Sequence, residues 1–173
     1  KEREAAGRAL AKQVPLKDQA RWNGAHRKHD PIDLLIDSSK GRIESLVPIR
    51  YGRMVVNPFA FFRGAAAVMA ADLSLTPATG VHLQACGDCH AVNFGGFATP
   101  ERRIVFDIND FDETSPAPWE WDVKRLVASF VLLGRYRNFS LDDMRECAWR
   151  AARAYRKRML RYAERPILDT WYD

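Results

Sequence analysis

The chain has 173 residues, of which 47% are hydrophobic and 28% are charged, and its net charge is +5. This length suffices for one domain with a buried core, and the composition is that of an ordinary globular protein. No apolar run reaches roughly 18 residues, which excludes a membrane-spanning helix, and the weak positive charge permits nucleic acid or anionic substrates as partners without requiring either.

The cysteine content and the first residues of the sequence indicate the cellular compartment of the protein. Three cysteines, an odd number, favour a reduced protein over a disulfide framework. The sequence begins with polar residues and has no apolar signal core there. We therefore expect a cytoplasmic protein with neither a membrane nor a nucleic acid as its partner.

Residues 1–45 predict an N-terminal extension made of helices and loops. Residues 1–13 suit a short charged helix, and residues 14–29 suit a loop. Asp30 and Pro31 combine an N-cap side chain with proline at the first helical position, so they predict the start of the next helix.

Residues 46–54 predict an irregular or edge strand, because Pro48 and Gly52 interrupt the extended pattern. Two arginines lie in this segment, Arg50 and Arg53. These two residues could hold a phosphate, although such arginines more often pair with nearby carboxylates.

Asn57 and Pro58 predict a helix over residues 57–72 by the same cap-and-proline pattern. The segment is apolar nearly all round, which predicts a buried helix. Arg63 is the exception, and a buried arginine would need an acidic partner.

The second half of the chain alternates strand and helix patterns. The predicted elements are a strand at 81–85, a turn at 99–101, a strand at 103–106, a helix at 119–133 and a helix at 141–164. The proline-rich segment 115–118 predicts a break, Gly134 a C-cap and Ser140 an N-cap. Together these elements predict an α+β fold that is mostly α.

The stretch from Cys86 to Asp112 has a density of acidic side chains that is typical of a site rather than of a core. Asp88 and Asn93 have the D-x-x-x-x-N spacing of a phosphotransferase catalytic loop. This spacing lets the Asp face an acceptor hydroxyl while the Asn oxygen turns toward a magnesium ion. Gly87 permits the tight turn that precedes Asp88.

Downstream of a predicted hairpin, the string D-F-D contains candidate magnesium ligands. Magnesium prefers hard oxygen ligands, commonly one or two carboxylates together with phosphate oxygens and water. We predict Asn93 and Asp110 as ligands, with Asp107 or Asp112 assisting. Asp112 stands where the kinase D-F-G element has glycine.

The loop C-G-D-C-H-A-V-N resembles the H-G-D-x-H-x-x-N loop of the aminoglycoside-phosphotransferase branch of the protein-kinase-like superfamily. Asp88, His90 and Asn93 match this pattern, and Cys86 replaces the first His. A W-D-V string downstream is similar to the W-D-L-A helix start of the branch. The resemblance implies that Asp122 in this string braces the catalytic loop.

Longer strings resemble one bacterial family, known as domain of unknown function 2252. They are R-Y-G-R-M, P-F-A-F-F-R-G-A-A, C-G-D-C-H-A-V-N-F-G, F-D-I-N-D-F-D-E-T and P-W-E-W-D-V-K-R-L. The resemblance implies that residues 46–173 are the catalytic part of a kinase-like large lobe, with a short catalytic-loop hairpin. It also implies that the protein continues beyond residue 173 into a nucleotide lobe, since the chain contains no G-x-G-x-x-G string.

The function implied is phosphoryl transfer from ATP, with magnesium, to an unknown hydroxyl acceptor. Asp88 would orient or deprotonate the hydroxyl, and His90 would shape the loop or contact phosphate. Asn93 and Asp110 would hold the metal on the nucleotide, and Arg63 would contact the nucleotide. Because aspartate replaces the mobile glycine of D-F-G, a nucleotidyl-transferring or inactive relative that serves as a binding module is the alternative.

Other interpretations remain open for the same stretch. C-G-D-C-H is the attachment string of c-type haem, and C-x-x-C also occurs in dithiol and zinc sites. A zinc site would use Cys86, Cys89 and His90, with Cys147 remote in sequence. The acidic string could bind calcium, although it lacks the EF-hand pattern.

Overall fold

The computed structural model describes residues 2–170, which form helices and two small antiparallel sheets. The helices are α1 (Glu2–Gln13), α2 (Leu16–Gln19), α3 (Pro31–Asp37), α4 (Val47–Met54), α5 (Pro58–Gly64), α6 (Ala66–Leu73), α7 (Trp119–Tyr136), α8 (Leu141–Tyr162) and α9 (Ile167–Thr170). The strands are β1 (His82–Ala85), β2 (Phe94–Ala98), β3 (Ile104–Ile108) and β4 (Ser115–Pro118). The fold is therefore α+β and mostly helical, as the sequence predicts.

Helix starts follow the capping side chains that the sequence contains. Asp30, Asn57 and Ser140 each accept a hydrogen bond from a backbone N–H two or three residues further on. These bonds satisfy donors that the first turn of a helix leaves free. The three starts predicted at these caps are confirmed, and so is the charged helix at the beginning of the chain.

The strand predicted over residues 46–54 is wrong, because this segment forms helix α4. Pro48 lies in the first turn of the helix, where the missing N–H of proline would have had no intrahelical partner. Gly52 is exposed within the helix, where its lower helix propensity is tolerated.

The single buried helix predicted over residues 57–72 is two helices. Ala65, with φ −115° and ψ 36°, separates α5 from α6. Only Phe59 of α5 is buried, and Arg63 is exposed. The expectation that Arg63 needs an acidic partner in a core is therefore wrong.

Two further differences concern the second half of the chain. The proline-rich segment Ser115–Pro118 is strand β4 and pairs with β1, although its sequence predicts only a break. Helix α7 continues past the predicted end to Tyr136, with Gly134 inside it. A Cβ at Gly134 would lie 2.6 Å from Met144 Cγ, so glycine here permits α8 to approach.

The apolar core lies beside α4 and α6. Leu35, Met54, Ala65 and Val68 form one buried cluster. Helix α7 contacts α5, α6, α8 and β1, so it connects this cluster to the strands. Among residues 2–170, no helix combines the length and the apolar content needed to cross a bilayer.

Candidate active site

Two strand pairs bring the ends of the acidic stretch together. Strand β1 pairs with β4, and Ala85 lies opposite Ser115 at the end of this ladder. Strand β2 pairs with β3, and Phe94 lies opposite Ile108. Consequently the loop 86–93 and the segment 109–114 must run side by side between the two ladders, although they are distant in sequence.

Asn93 joins these two segments. Its side chain is 5% exposed, and Nδ2 donates to the backbone oxygens of Asp88 and Asp110, each at 3.1 Å. The backbone continues the contact, because the N–H of Asn109 donates to the oxygen of Asn93 at 3.0 Å. Since Nδ2 faces the backbone, Oδ1 is the atom of this amide that is left to bind a ligand.

Asp122, in the first turn of α7, holds the start of the loop. Its Oδ2 accepts from the N–H of Cys86 at 2.7 Å, and its Oδ1 accepts from the N–H of Gly87 at 3.0 Å. Gly87 has φ +80°, and a Cβ there would overlap the carbonyl oxygen of Glu113. These contacts are the geometry that a bracing role requires.

Arg125, one turn after Asp122 on α7, holds Asp88. The residue is 2% exposed, and its Nε and Nη2 donate to Asp88 Oδ1 at 2.9 and 2.5 Å. Nη2 also donates to the oxygen of Phe62 at 2.6 Å, and the guanidinium lies 4.2 Å from the centre of the Phe62 ring. Burial of a charge requires such partners, and the pairing leaves Oδ2 of Asp88 without a bond to the guanidinium.

Sequence reasoning missed Arg125. The available signal was its position three residues after Asp122, because residues at this spacing lie on the same face of a helix. Ser129, also on α7, was missed as well. It is fully buried, and its Oγ accepts from the N–H of Ala91 at 2.9 Å. One face of α7 thus contacts the loop at three positions.

His90 lies beside Asp88 in the loop. Its Nε2 is 3.4 Å from Asp88 Oδ2, and its ring meets the Phe59 ring edge-on at 6.2 Å. The residue is 4% exposed, and Nδ1 has no hydrogen-bond partner within the described chain. A buried ring nitrogen without a partner is unusual in a core and typical of a site that takes a ligand.

Most of the residues predicted to form a site line one cleft of about 510 Å³. Its polar lining consists of Arg50, Arg53, Arg63, Asp88, His90, Asn93 and Asp110. Both predicted catalytic residues lie there, as do both predicted cofactor contacts and two of the four predicted metal ligands. The larger groove between α7 and α8 is mostly apolar, and none of these residues lines it.

Asp107 and Asp112 do not line this cleft. Asp112 lines a neighbouring cavity together with Gly87 and Asp122, and Asp107 is exposed on β3. Between residues 2 and 170, no group of three or more His, Cys, Asp or Glu side chains is arranged to hold a metal. The four-ligand set predicted from the sequence is therefore not assembled.

Of the four predicted metal ligands, Asp110 and Asn93 line the cleft. Asp110 Oδ1 accepts from the N–H of Asp112 at 3.1 Å, and this bond orients the carboxylate. One carboxylate and one amide oxygen do not form a closed cage. They fit magnesium, which keeps several waters and takes much of its coordination from substrate phosphates.

The paired cysteines of the loop are buried beneath this site. Cys86 Sγ contacts Asn93 Nδ2 and the oxygen of Asp110, each at 3.7 Å. A hydrogen bond with the Cys89 thiol lowers the pKa of Cys86, against the effect of burial. The same bond, together with burial, raises the pKa of Cys89. The zinc interpretation needs both thiols and His90 as one ligand group, and no such group exists in the described chain.

Comparison with known families gives one match. A family model described as "Uncharacterized protein conserved in bacteria (DUF2252)" matches residues 42–173. The matched region contains α4 to α9 and every residue of the cleft. No curated protein matches the chain, and no solved structure matches it.

Proposed function

Since the chain belongs to this uncharacterised bacterial family, whose description states no reaction, we propose a function from the cleft itself. The protein is a kinase-like phosphotransferase. It transfers a phosphoryl group from ATP, in the presence of magnesium, to the hydroxyl of an acceptor. The chain supplies the part of the active site that orients the acceptor and holds the metal.

One observation carries this proposal. Asn93 Nδ2 bonds the backbone oxygens of both Asp88 and Asp110, and all three residues line one cleft. Phosphoryl transfer requires chiefly positioning and neutralisation of charge, so a carboxylate for the acceptor must lie beside oxygen ligands for a metal. The cleft combines the two.

Each residue then has a role that follows from its contacts. Asp88 presents Oδ2 to the acceptor hydroxyl, because Arg125 occupies Oδ1. Asn93 and Asp110 would hold magnesium, which when bound neutralises charge on the transferred phosphate. His90 lies 3.4 Å from Asp88 Oδ2 and offers its ring to the phosphate or the acceptor. Asp122 keeps the loop in this arrangement.

The remainder of the proposal follows from the resemblance to the kinase-like superfamily. A nucleotide lobe from the rest of the same protein would cover the cleft and bind the base of ATP, and Arg63 would contact the nucleotide. We place the protein in the cytoplasm, where ATP and magnesium are present. Neither a membrane nor a nucleic acid is part of the proposed reaction.

The direct test is transfer of labelled phosphate from ATP by the full-length protein, with a mixture of small hydroxyl compounds and proteins as acceptors. We expect Asp88→Asn to lose about a hundredfold or more in rate, because the proton of the hydroxyl then has no acceptor. Asp107→Asn, an exposed carboxylate outside the cleft, is the matched control and retains activity. Full activity of a folded Asp88→Asn protein would contradict the proposal.

A binding module without catalysis is the second candidate. The observation that favours it is the pair of hydrogen bonds from Arg125 Nε and Nη2 to Asp88 Oδ1, because they engage one oxygen of the carboxylate that is proposed to accept the proton. This candidate predicts magnesium-dependent binding of ATP without turnover. The phosphate-transfer assay, combined with a binding measurement, separates the two.

A further inference from the structure

The charges in the cleft do not balance. Arg50, Arg53 and Arg63 line it together with Asp88 and Asp110. The carboxylate of Asp88 is already neutralised by Arg125 behind the loop. Three arginines therefore face a single carboxylate that has no ion pair of its own in the described chain, and the cleft has an excess of positive charge.

Arg50 has a structural role that explains its presence. Its Nη2 donates to the oxygen of Gly64 at 2.6 Å, and its guanidinium lies 5.6 Å from the centre of the Tyr51 ring. Through these contacts Arg50 connects α4 to the end of α5. It needs no ligand to satisfy its donors.

Arg53 and Arg63, which are both exposed, make no such contacts. Within residues 2–170 neither guanidinium has a hydrogen bond, an ion pair or an aromatic ring as a partner. They lie in the last turns of α4 and α5, which pack closely: a Cβ at Gly64 would lie 2.5 Å from Met54 Sδ. Both cations line the same cleft, so they repel each other, and a shared anion would remove this cost.

The unpartnered ring nitrogen of His90 is also consistent with a phosphate ligand. His90 lines the cleft, is 4% exposed and has no partner for Nδ1. An imidazole that carries its N–H on Nδ1 would add a donor to those of the two arginines. Phosphate, with several acceptor oxygens and a double charge, satisfies guanidinium groups in bidentate pairs better than a carboxylate of one charge.

We propose that Arg53 and Arg63 form a phosphate-binding site on the α4–α5 wall of the cleft, which acts without a metal. The inference extends the proposed function, on which it rests for its biological meaning, and it names the ligand class as a phosphate-bearing molecule. Two sources share this chemistry: the phosphates of the nucleotide, and a phosphate carried by the acceptor itself.

The test is calorimetric titration of the full-length protein with pyrophosphate in the presence of EDTA. We expect binding that weakens by at least about tenfold in Arg53→Gln/Arg63→Gln, since two charge-assisted contacts are lost. The matched control is Arg145→Gln/Arg150→Gln, which removes the same charge from exposed positions on α8. Circular dichroism and thermal melting confirm that each variant is folded.

A second titration identifies the source of the phosphate. If ATP and pyrophosphate exclude each other, the site holds the phosphates of the nucleotide. If the protein binds magnesium-ATP and pyrophosphate together, the site holds a phosphate of the acceptor. Absence of pyrophosphate binding, or equal binding by the wild type and Arg53→Gln/Arg63→Gln, would overturn the inference. Loss or retention of phosphate transfer in Asp88→Asn bears on the proposed function alone.

Discussion

Asp122 shows how one carboxylate can determine the shape of a loop. It accepts hydrogen bonds from two consecutive backbone N–H groups, at 2.7 and 3.0 Å, which belong to the two residues that follow β1. Each of these donors would otherwise lie beneath the loop without a partner. The role implied by the resemblance therefore has a physical basis in this chain, namely the satisfaction of two adjacent backbone groups by one side chain.

We predict that Asp122→Asn destabilises the protein by about 1–3 kcal/mol, because the amide has one acceptor oxygen and leaves one N–H unsatisfied. Urea denaturation measures the change. The control is Asp142→Asn on α8, whose side chain is 93% exposed, and which we expect to cost less than about 1 kcal/mol. A free energy of unfolding equal to that of the wild type in Asp122→Asn would show that the two bonds do not hold the loop.

Arg125 and Asp88 form a largely buried ion pair behind the loop. Arg125→Met removes a buried cation and leaves Asp88 without its partner, which we expect to cost roughly 3 kcal/mol. In the double variant Arg125→Met/Asp88→Asn the uncompensated carboxylate is also absent, so part of this loss should return. Chemical denaturation of the wild type, the single variant and the double variant measures the loss of stability and its partial recovery. A double variant less stable than Arg125→Met would refute the pairing as the source of the loss.

At the scale of elements, two short ladders define the site. They hold the loop 86–93 against the segment 109–114, and Gly87 lies where these segments are closest. Its positive φ disfavours a side chain, and the nearby oxygen of Glu113 leaves no room for one. Substitution of three glycines distinguishes the effect of the positive φ from that of the nearby oxygen, because these glycines differ in conformation and in surroundings.

We predict that Gly87→Ala destabilises the protein more than Gly80→Ala, and that Gly52→Ala is neutral or stabilising. Gly80 has φ +78° with open space around it, so alanine meets only backbone strain of about 1 kcal/mol. Gly52 lies in α4 with open space, where alanine raises helix propensity. Thermal melting orders the three variants. If Gly87→Ala and Gly80→Ala have the same melting temperature, the close approach to Glu113 has no effect on stability.

The elements that the sequence predicts are those whose signals are local. Asp30, Asn57 and Ser140 accept hydrogen bonds from N–H groups two or three residues away, so the helix starts at these residues can be predicted from the sequence. Strand β4 was not, because two of its four residues are proline and its partner strand lies far upstream in sequence. Helix α4 was misassigned because its proline marks a helix start rather than an interruption.

At the scale of the whole molecule, the cleft is assembled from parts that the sequence separates. The loop, the segment after β3 and the α4–α5 wall all contribute to it. Spacing within the loop predicted Asp88 and Asn93, and the resemblance to the kinase-like superfamily implied His90. Spacing could not predict Arg125, whose partner is 37 residues away, or separate Asp110 from its acidic neighbours. Only tertiary packing decides which carboxylate of a cluster faces the cleft.

The central claim is that Asn93 and Asp110 hold a metal on a nucleotide in this cleft. The most direct measurement is calorimetric binding of ATP to the full-length protein, with magnesium and with EDTA. The account predicts tight binding that depends on magnesium in the wild type and in Asp112→Asn, whose carboxylate lines a different cavity. It predicts at least about tenfold weaker binding in Asp110→Asn, since a metal ligand is lost. Unchanged magnesium-dependent binding in Asp110→Asn would contradict it.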